Sequence, residues 1–202
     1  MMISRRALLA AFVATPLPRA AAARSRVGLS EILFDPALPV LANPDGDVTI
    51  AEFFDYACPY CKVLHPDLKE IVEQDGGIRL VMKDWPINGD MAMYASRMVL
   101  AAERLGHYKT AHAAVMEITA PLTHRRIDDA MRSQGVDVGA VRDALDVHLE
   151  EIDALLQRNR EQARLLSLRG TPSFLIGARL YRGALTPGQI REAVRQTRQG
   201  RS

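Results

Sequence analysis

The chain has 202 residues, 48% hydrophobic, 25% charged and 5% aromatic, with two cysteines. That composition excludes a disordered chain, and two cysteines exclude both a disulfide-dense small scaffold and an all-cysteine zinc site. The formal charge of +2 is set by the extreme N-terminus: Arg5, Arg6 and Arg19 lie in the first 23 residues, which hold no acid, and without them 26 basic residues against 24 acidic become 23 against 24. A near-neutral body gives a nucleic-acid partner no electrostatic footing.

In chain order, residues 1–23 combine a short basic start, an apolar run from Ala7 to Ala14 and an Ala-rich end in which Ala21 and Ala23 suit a cleavage site. This is the pattern of a secretory signal, and Ser4-Arg5-Arg6-Ala7-Leu8-Leu9 also resembles a twin-arginine export signal. Pro16 and Pro18 argue against an ordinary first helix. Export places the chemistry in the periplasm or cell envelope, where thiols tend to be oxidised. Residues 24–47 form an irregular N-terminal extension punctuated by Asp35-Pro36, Asn43-Pro44 and Asp45-Gly46.

Val48 to Tyr56 is β-branched and aromatic with hardly a polar face, which predicts a strand buried on both sides at the centre of a sheet. A helix is predicted from about Cys58 to Gln74, stopped by Asp75-Gly76-Gly77, and a second strand from Ile78 to Lys83. Strand, helix and strand in under about 40 residues make a parallel crossover unit. From Asp90 to Leu168 the pattern is helical, broken near Gly106, Ala120-Pro121 and Gly135. Short strands follow at Phe174–Ile176 and Arg179–Tyr181, and Thr186-Pro187-Gly188-Gln189 carries the cap, first-turn proline and capping-box partner of a last helix. The whole reads as a mixed sheet interrupted by a helical block.

Both cysteines fall in Cys58-Pro59-Tyr60-Cys61, after a strand and at a helix start. Unpaired backbone N–H groups and the positive end of the helix dipole stabilise a thiolate there, so Cys58 is the expected attacking sulfur. Pro59 suits the first turn, where its missing N–H costs nothing. Cys61 lies on the same helix face, close enough to close a small disulfide ring. So short a ring constrains little chain entropy, which makes it a poor staple and a good reversible couple. A metal site is the alternative: Cys58, Cys61 and His65 with a fourth ligand from His107, His112, His124 or His148, none at diagnostic spacing. Thr171-Pro172 precedes the short strands, as a proline initiating a strand would. Glu52 lies in an otherwise apolar strand, where an unpaired carboxylate is costly unless it reaches solvent at a strand edge. His107 and His112 fall near expected helix boundaries and read as solvated or locally bonded. Met91, Met93, Met98 and Met116 read as core fillers or the lining of an apolar substrate surface, and Arg125-Arg126 as a solvated helix entry.

The run Glu52-Phe53-Phe54-Asp55-Tyr56-Ala57-Cys58-Pro59-Tyr60-Cys61-Lys62 with His65-Pro66 resembles the DsbA family of exported thiol–disulfide oxidoreductases, in particular its Com1-like and BdbD-like branch. Asn43-Pro44-Asp45-Gly46-Asp47-Val48, Lys83-Asp84-Trp85-Pro86-Ile87, Gly106-His107-Tyr108 and Arg169-Gly170-Thr171-Pro172-Ser173-Phe174 extend the likeness over about residues 31–198. The resemblance implies an α/β thioredoxin fold with an inserted helical domain: residues 48–89 and 169–202 as a discontinuous thioredoxin-like domain and 90–168 as the insertion. It also implies that Pro172 is cis and lies beside the cysteines, that Thr171 with Pro59 and Tyr60 meets the substrate, and that Glu52 is a buried proton acceptor for the second cysteine. Lys83 matches a position where a partner for that acid could sit, and His65 is expected to pack or kink its helix. The implied activity is exchange of a Cys58–Cys61 disulfide with protein thiols, without a cofactor, and with a membrane partner for reoxidation. The family's strongest oxidants carry a histidine immediately before the second cysteine; Tyr60 stands there and supplies no charge, leaving oxidase, isomerase and reductase roles open. The 24 residues before Val48 are too few for the dimerisation domain typical of isomerases, which favours a monomeric oxidase.

Overall fold

The computed structural model describes residues 28–200, so the expected signal sequence lies outside the described residues. Among these, the elements in order are α1 (Leu29–Leu33), β1 (Val40–Ala42), β2 (Val48–Phe54), α2 (Pro59–Asp75), β3 (Ile78–Asp84), α3 (Asp90–Glu103), α4 (Tyr108–Met116), α5 (His124–Ser133), α6 (Val138–Leu165), β4 (Ser173–Ile176), β5 (Arg179–Arg182) and α7 (Pro187–Gln199). The five strands form one sheet in the order β1-β3-β2-β4-β5. β2 and β3 are parallel, as a strand–helix–strand crossover requires, and every other pairing is antiparallel.

The central strand is the one the sequence singles out. All seven residues of β2 are buried, flanked by β3 on one side and β4 on the other. The predicted strand was two residues too long, because the chain turns at Asp55: Cys58 N–H donates to Asp55 O at 3.0 Å and Ala57 N–H to Asp55 Oδ1 at 2.6 Å. Gly76, in the left-handed region at φ 67°, ends α2 and donates to Val72 O, a conformation that glycine adopts without a Cβ penalty. Thr186 and Gln189 make the reciprocal capping box of α7.

The extension before β2 is more ordered than its turn-rich composition suggests. It supplies α1 and β1, the latter pairing antiparallel with β3 through an irregular register. Elements of five and three residues are too short to show a periodicity, and β1 is stabilised by its neighbour rather than by its own sequence.

Side-chain alternation sorts the sheet into two faces. Ile50, Glu52 and Phe54 pair with Leu80, Met82 and Asp84 on one face, towards α2 and α4; Phe53 and Lys83 pair on the other. Four helices, α3 to α6, stand between β3 and β4 in the sequence. The buried apolar cluster runs without a break from β2 and β3 into these helices through Met98, Val99, Val115 and Ile152.

Candidate active site

The end of β2 delivers the two cysteines to the N-terminus of α2. Cys58 is the N-cap residue, extended at φ −76° and ψ 117°, and its carbonyl accepts from Lys62 N–H at 3.2 Å. Pro59 follows as the first helical residue and Cys61 lies fully buried in the first turn. Both cysteines are free thiols. The turn is fixed by Asp55, whose Oδ2 accepts Ile87 N–H at 2.7 Å, Asn88 N–H at 2.8 Å and the Asn88 side-chain amide at 2.8 Å. One buried carboxylate thus ties the cysteine turn to the loop between β3 and α3. Asp55→Ala is expected to leave four donors unsatisfied and to lower the unfolding free energy by about 2–4 kcal/mol in urea titrations.

Opposite the cysteines, the Thr171–Pro172 peptide is cis and Pro172 is buried. Cys58 Sγ lies 3.2 Å from Thr171 O. This brings the start of β4 to the reactive sulfur across 113 residues of chain, as the resemblance implied.

The two sulfurs have opposite acidities. The Cys58 thiol is lowered to about 6, first by a hydrogen bond from Cys61, then by the Thr171 side chain and the N–H groups of Cys61 and Tyr60 at the helix start, against an opposing contribution from burial. Cys61 is driven far upward by the same hydrogen bond, by burial and by Glu52. At neutral pH the pair therefore carries one thiolate, at Cys58, and one thiol.

Glu52 lies beneath them, in the middle of the central strand between Met82 and Phe174. It is 2% exposed, so it does not reach solvent at a strand edge. Burial, followed by the negative charge of Cys58, raises its pKa to about 8, which keeps it a neutral acid near pH 7.

Lys83 does not join it. Lys83 is paired with Phe53, one residue out of phase with Glu52, and so points to the opposite face of the sheet. There its Nζ donates to Ile32 O at 3.3 Å and lies 5.5 Å from the Phe53 ring centroid. Burial lowers its pKa to about 7, with Asp35 and Arg158 as its charged neighbours.

His112 also differs from expectation. It is in the interior of α4, 1% exposed, and its Nδ1 is 2.8 Å from the Tyr56 hydroxyl. The buried spacing Tyr108–His112–Val115 was the available sign, one helical face that the turn signal at Gly106 overshadowed. Lys62 went unmarked as well: its Nζ reaches Val115 O at 2.9 Å and Met116 O at 3.3 Å, so the residue after Cys61 caps the end of α4. His107 is exposed at the start of α4, His124 packs 4.3 Å from Tyr94 and His148 pairs with Glu151 at 3.4 Å. Among the described residues no three His, Cys, Asp or Glu side chains gather as metal ligands. Met98 and Met116 are buried in the core, whereas Met91 and Met93 are half-buried. The exposed apolar side chains in the first turns of α2 are instead Tyr60 and Val63, 67% and 75% exposed.

The comparisons agree with this geometry. A family model described as DSBA-like thioredoxin domain matches residues 49–195. A Na(+)/H(+) antiporter NhaA 1 of Salinispora arenicola is 30% identical over 90% of this chain, which spans only 29% of that protein's length. The thiol:disulfide interchange protein DsbA of Bordetella parapertussis is 25% identical over 93% of this chain and 87% of its own. The crystal structure of a thioredoxin-like oxidoreductase from Silicibacter pomeroyi superimposes with a TM-score of 0.81 at 33% identity, covering 85% of this chain and 98% of that one. The chain belongs to the DSBA-like thioredoxin domain family.

Proposed function

We propose that this protein is an exported thiol–disulfide oxidoreductase that acts mainly as an oxidase of protein thiols. The observation that carries this reading is the pairing of a Cys58 thiol lowered to about 6 with a buried Cys61 held as the thiol. In the oxidised enzyme a substrate thiolate attacks Cys58 Sγ, the Cys58–Cys61 bond breaks, and Cys61 leaves with a proton from Glu52. A second substrate thiolate then attacks the substrate sulfur of the mixed disulfide. Cys58 departs as a thiolate, the substrate is oxidised and the enzyme reduced. The low pKa makes Cys58 a good leaving group in this last step.

Thr171 and Pro172 present backbone beside Cys58 for an extended substrate segment, and Tyr60 and Val63 offer it an apolar flank. Glu52 acts as the proton donor and acceptor of Cys61. A membrane redox partner for reoxidation, a location in the periplasm or cell envelope and a monomeric state complete the proposal. They are supported by the resemblance of the sequence to exported family members.

Equilibration against glutathione buffers at a series of pH values tests the reading. A potential near about −120 mV marks a disulfide donor and one near about −270 mV a reductase. Ionisation of Cys58 stabilises the reduced form at pH 7 by about 1.4 kcal/mol, or about 30 mV towards oxidising values. The potential is expected to fall by about 60 mV per pH unit below pH 6, where two protons accompany two electrons, and by about 30 mV per unit just above it. A Cys58–Cys61 pair with no reversible transition overturns the proposal.

A further inference from the structure

The proton of Glu52 has to be renewed once per turnover, yet its carboxyl is sealed inside the sheet. A cavity of about 330 Å³ opens beside it, between α2, α4 and the strands. Glu52 and Met82 form its inner end, and the exposed Lys69 and Lys109 stand at its mouth. The space is large enough for several waters, each of which takes about 30 Å³ in the liquid.

Two histidines line the passage from opposite helices: His65 of α2 and His112 of α4, with ring centroids 5.0 Å apart. The Tyr56 hydroxyl engages His112 Nδ1 and so fixes the ring, while Nε2 is buried with no hydrogen-bond partner among the described residues. Leaving such a group without any partner costs about 1–3 kcal/mol. The His112 ring lines a water-sized space that ends at a carboxyl, and a small tilt of the ring brings Nε2 to a water there. Burial keeps both rings neutral at neutral pH, His65 lowered to about 4 and His112 well below its ordinary value, with Lys62 and Lys69 as the facing cations. A neutral imidazole can hold a water without placing a charge beside the acid.

We propose that this cavity is the route by which Glu52 exchanges its proton with solvent, with His112 and His65 as the positioning residues that hold the waters along it. The proposal rests on Glu52 as the acid that serves Cys61. When a substrate thiolate breaks the Cys58–Cys61 bond, the electron pair goes to Cys61 Sγ and the Glu52 proton follows it. The resulting carboxylate takes a proton from the water beside His112, and solvent replaces that proton through the mouth. In reoxidation the same proton travels outward.

The test is the rate at which dithiothreitol reduces the oxidised protein, followed through the single tryptophan, Trp85, across pH and with added imidazole. His112→Ala is expected to slow reduction about tenfold and His65→Ala about threefold, both recovering as imidazole is raised. Glu52→Gln is expected to be slow and to stay slow with imidazole. Ala113→Leu, which narrows the passage from a half-buried helix position, is expected to slow reduction without recovery. It carries the test if His112→Ala does not fold.

If Glu52→Gln is slow while His65→Ala and Ala113→Leu react at the wild-type rate, the route is overturned and the role of Glu52 stands. If Glu52→Gln itself reacts at the wild-type rate, the role of Glu52 and the route fall together. Slow reduction by His112→Ala that imidazole leaves unchanged also overturns the route, because it marks a ring needed only for packing.

Discussion

Cys61→Ala is expected to abolish turnover and, separately, to move the Cys58 pKa from about 6 towards its ordinary value by about one to two units. The second effect follows from the order of influences on Cys58, in which the Cys61 thiol comes ahead of the helix-start N–H groups. The thiol donates to the thiolate, and alanine cannot. Alkylation of Cys58 by iodoacetamide as a function of pH reads the shift directly, since only the thiolate reacts. Cys61→Ser keeps a donor and is expected to preserve most of the low pKa, while leaving a mixed disulfide that no internal sulfur can resolve. That adduct is detected by mass spectrometry after incubation with an oxidised peptide. Cys58→Ser is expected to abolish exchange altogether, because buried Cys61 is neither accessible nor ionised. A Cys58 pKa that stayed near 6 in Cys61→Ala would transfer the stabilisation to Thr171 and the helix start.

Much of this site is legible in the sequence because its parts are local. Cys58-Pro59-Tyr60-Cys61 needs only a strand before it and a helix after it, and both have strong patterns. The continuous apolar run of β2 marks Glu52 as an acid in a costly place, which the register with β3 and β4 bears out. What sequence pattern does not carry is phase between neighbouring strands. Lys83 stands at a plausible distance along the chain, but a one-residue offset in a parallel pair sends it to the other face, where α1 receives it. Contacts between distant helices are hidden for a similar reason. His112 reaches Tyr56 across 56 residues and Lys62 reaches the end of α4 across 53, and neither distance has a compositional sign. Asp55 also passes unnoticed, as an ordinary turn residue by type, until the β3–α3 loop folds onto it.

Glu52→Gln is expected to affect stability and activity with opposite signs. In the unfolded chain the carboxyl titrates near its ordinary 4.5, whereas in the folded protein it titrates near 8. Below pH 4.5 both states are protonated and the wild-type and glutamine proteins differ little. Between pH 4.5 and 8 the unfolded chain gives up a proton that the folded protein retains, so wild-type stability falls by about 1.4 kcal/mol per pH unit relative to the variant. At pH 7 the variant is expected to be more stable by about 3 kcal/mol, measured by urea unfolding of the reduced proteins. The difference levels off above pH 8, where both states have lost the proton. A difference that stayed flat from pH 4 to 8 would contradict a raised Glu52. On the proposed role of Glu52 as the acid that serves Cys61, the same replacement is expected to slow thiol exchange while the fold gains. A merely structural glutamate at this depth would be replaced by glutamine without that kinetic penalty, so the two readouts together separate a proton-handling group from a buried acid that only weakens the fold.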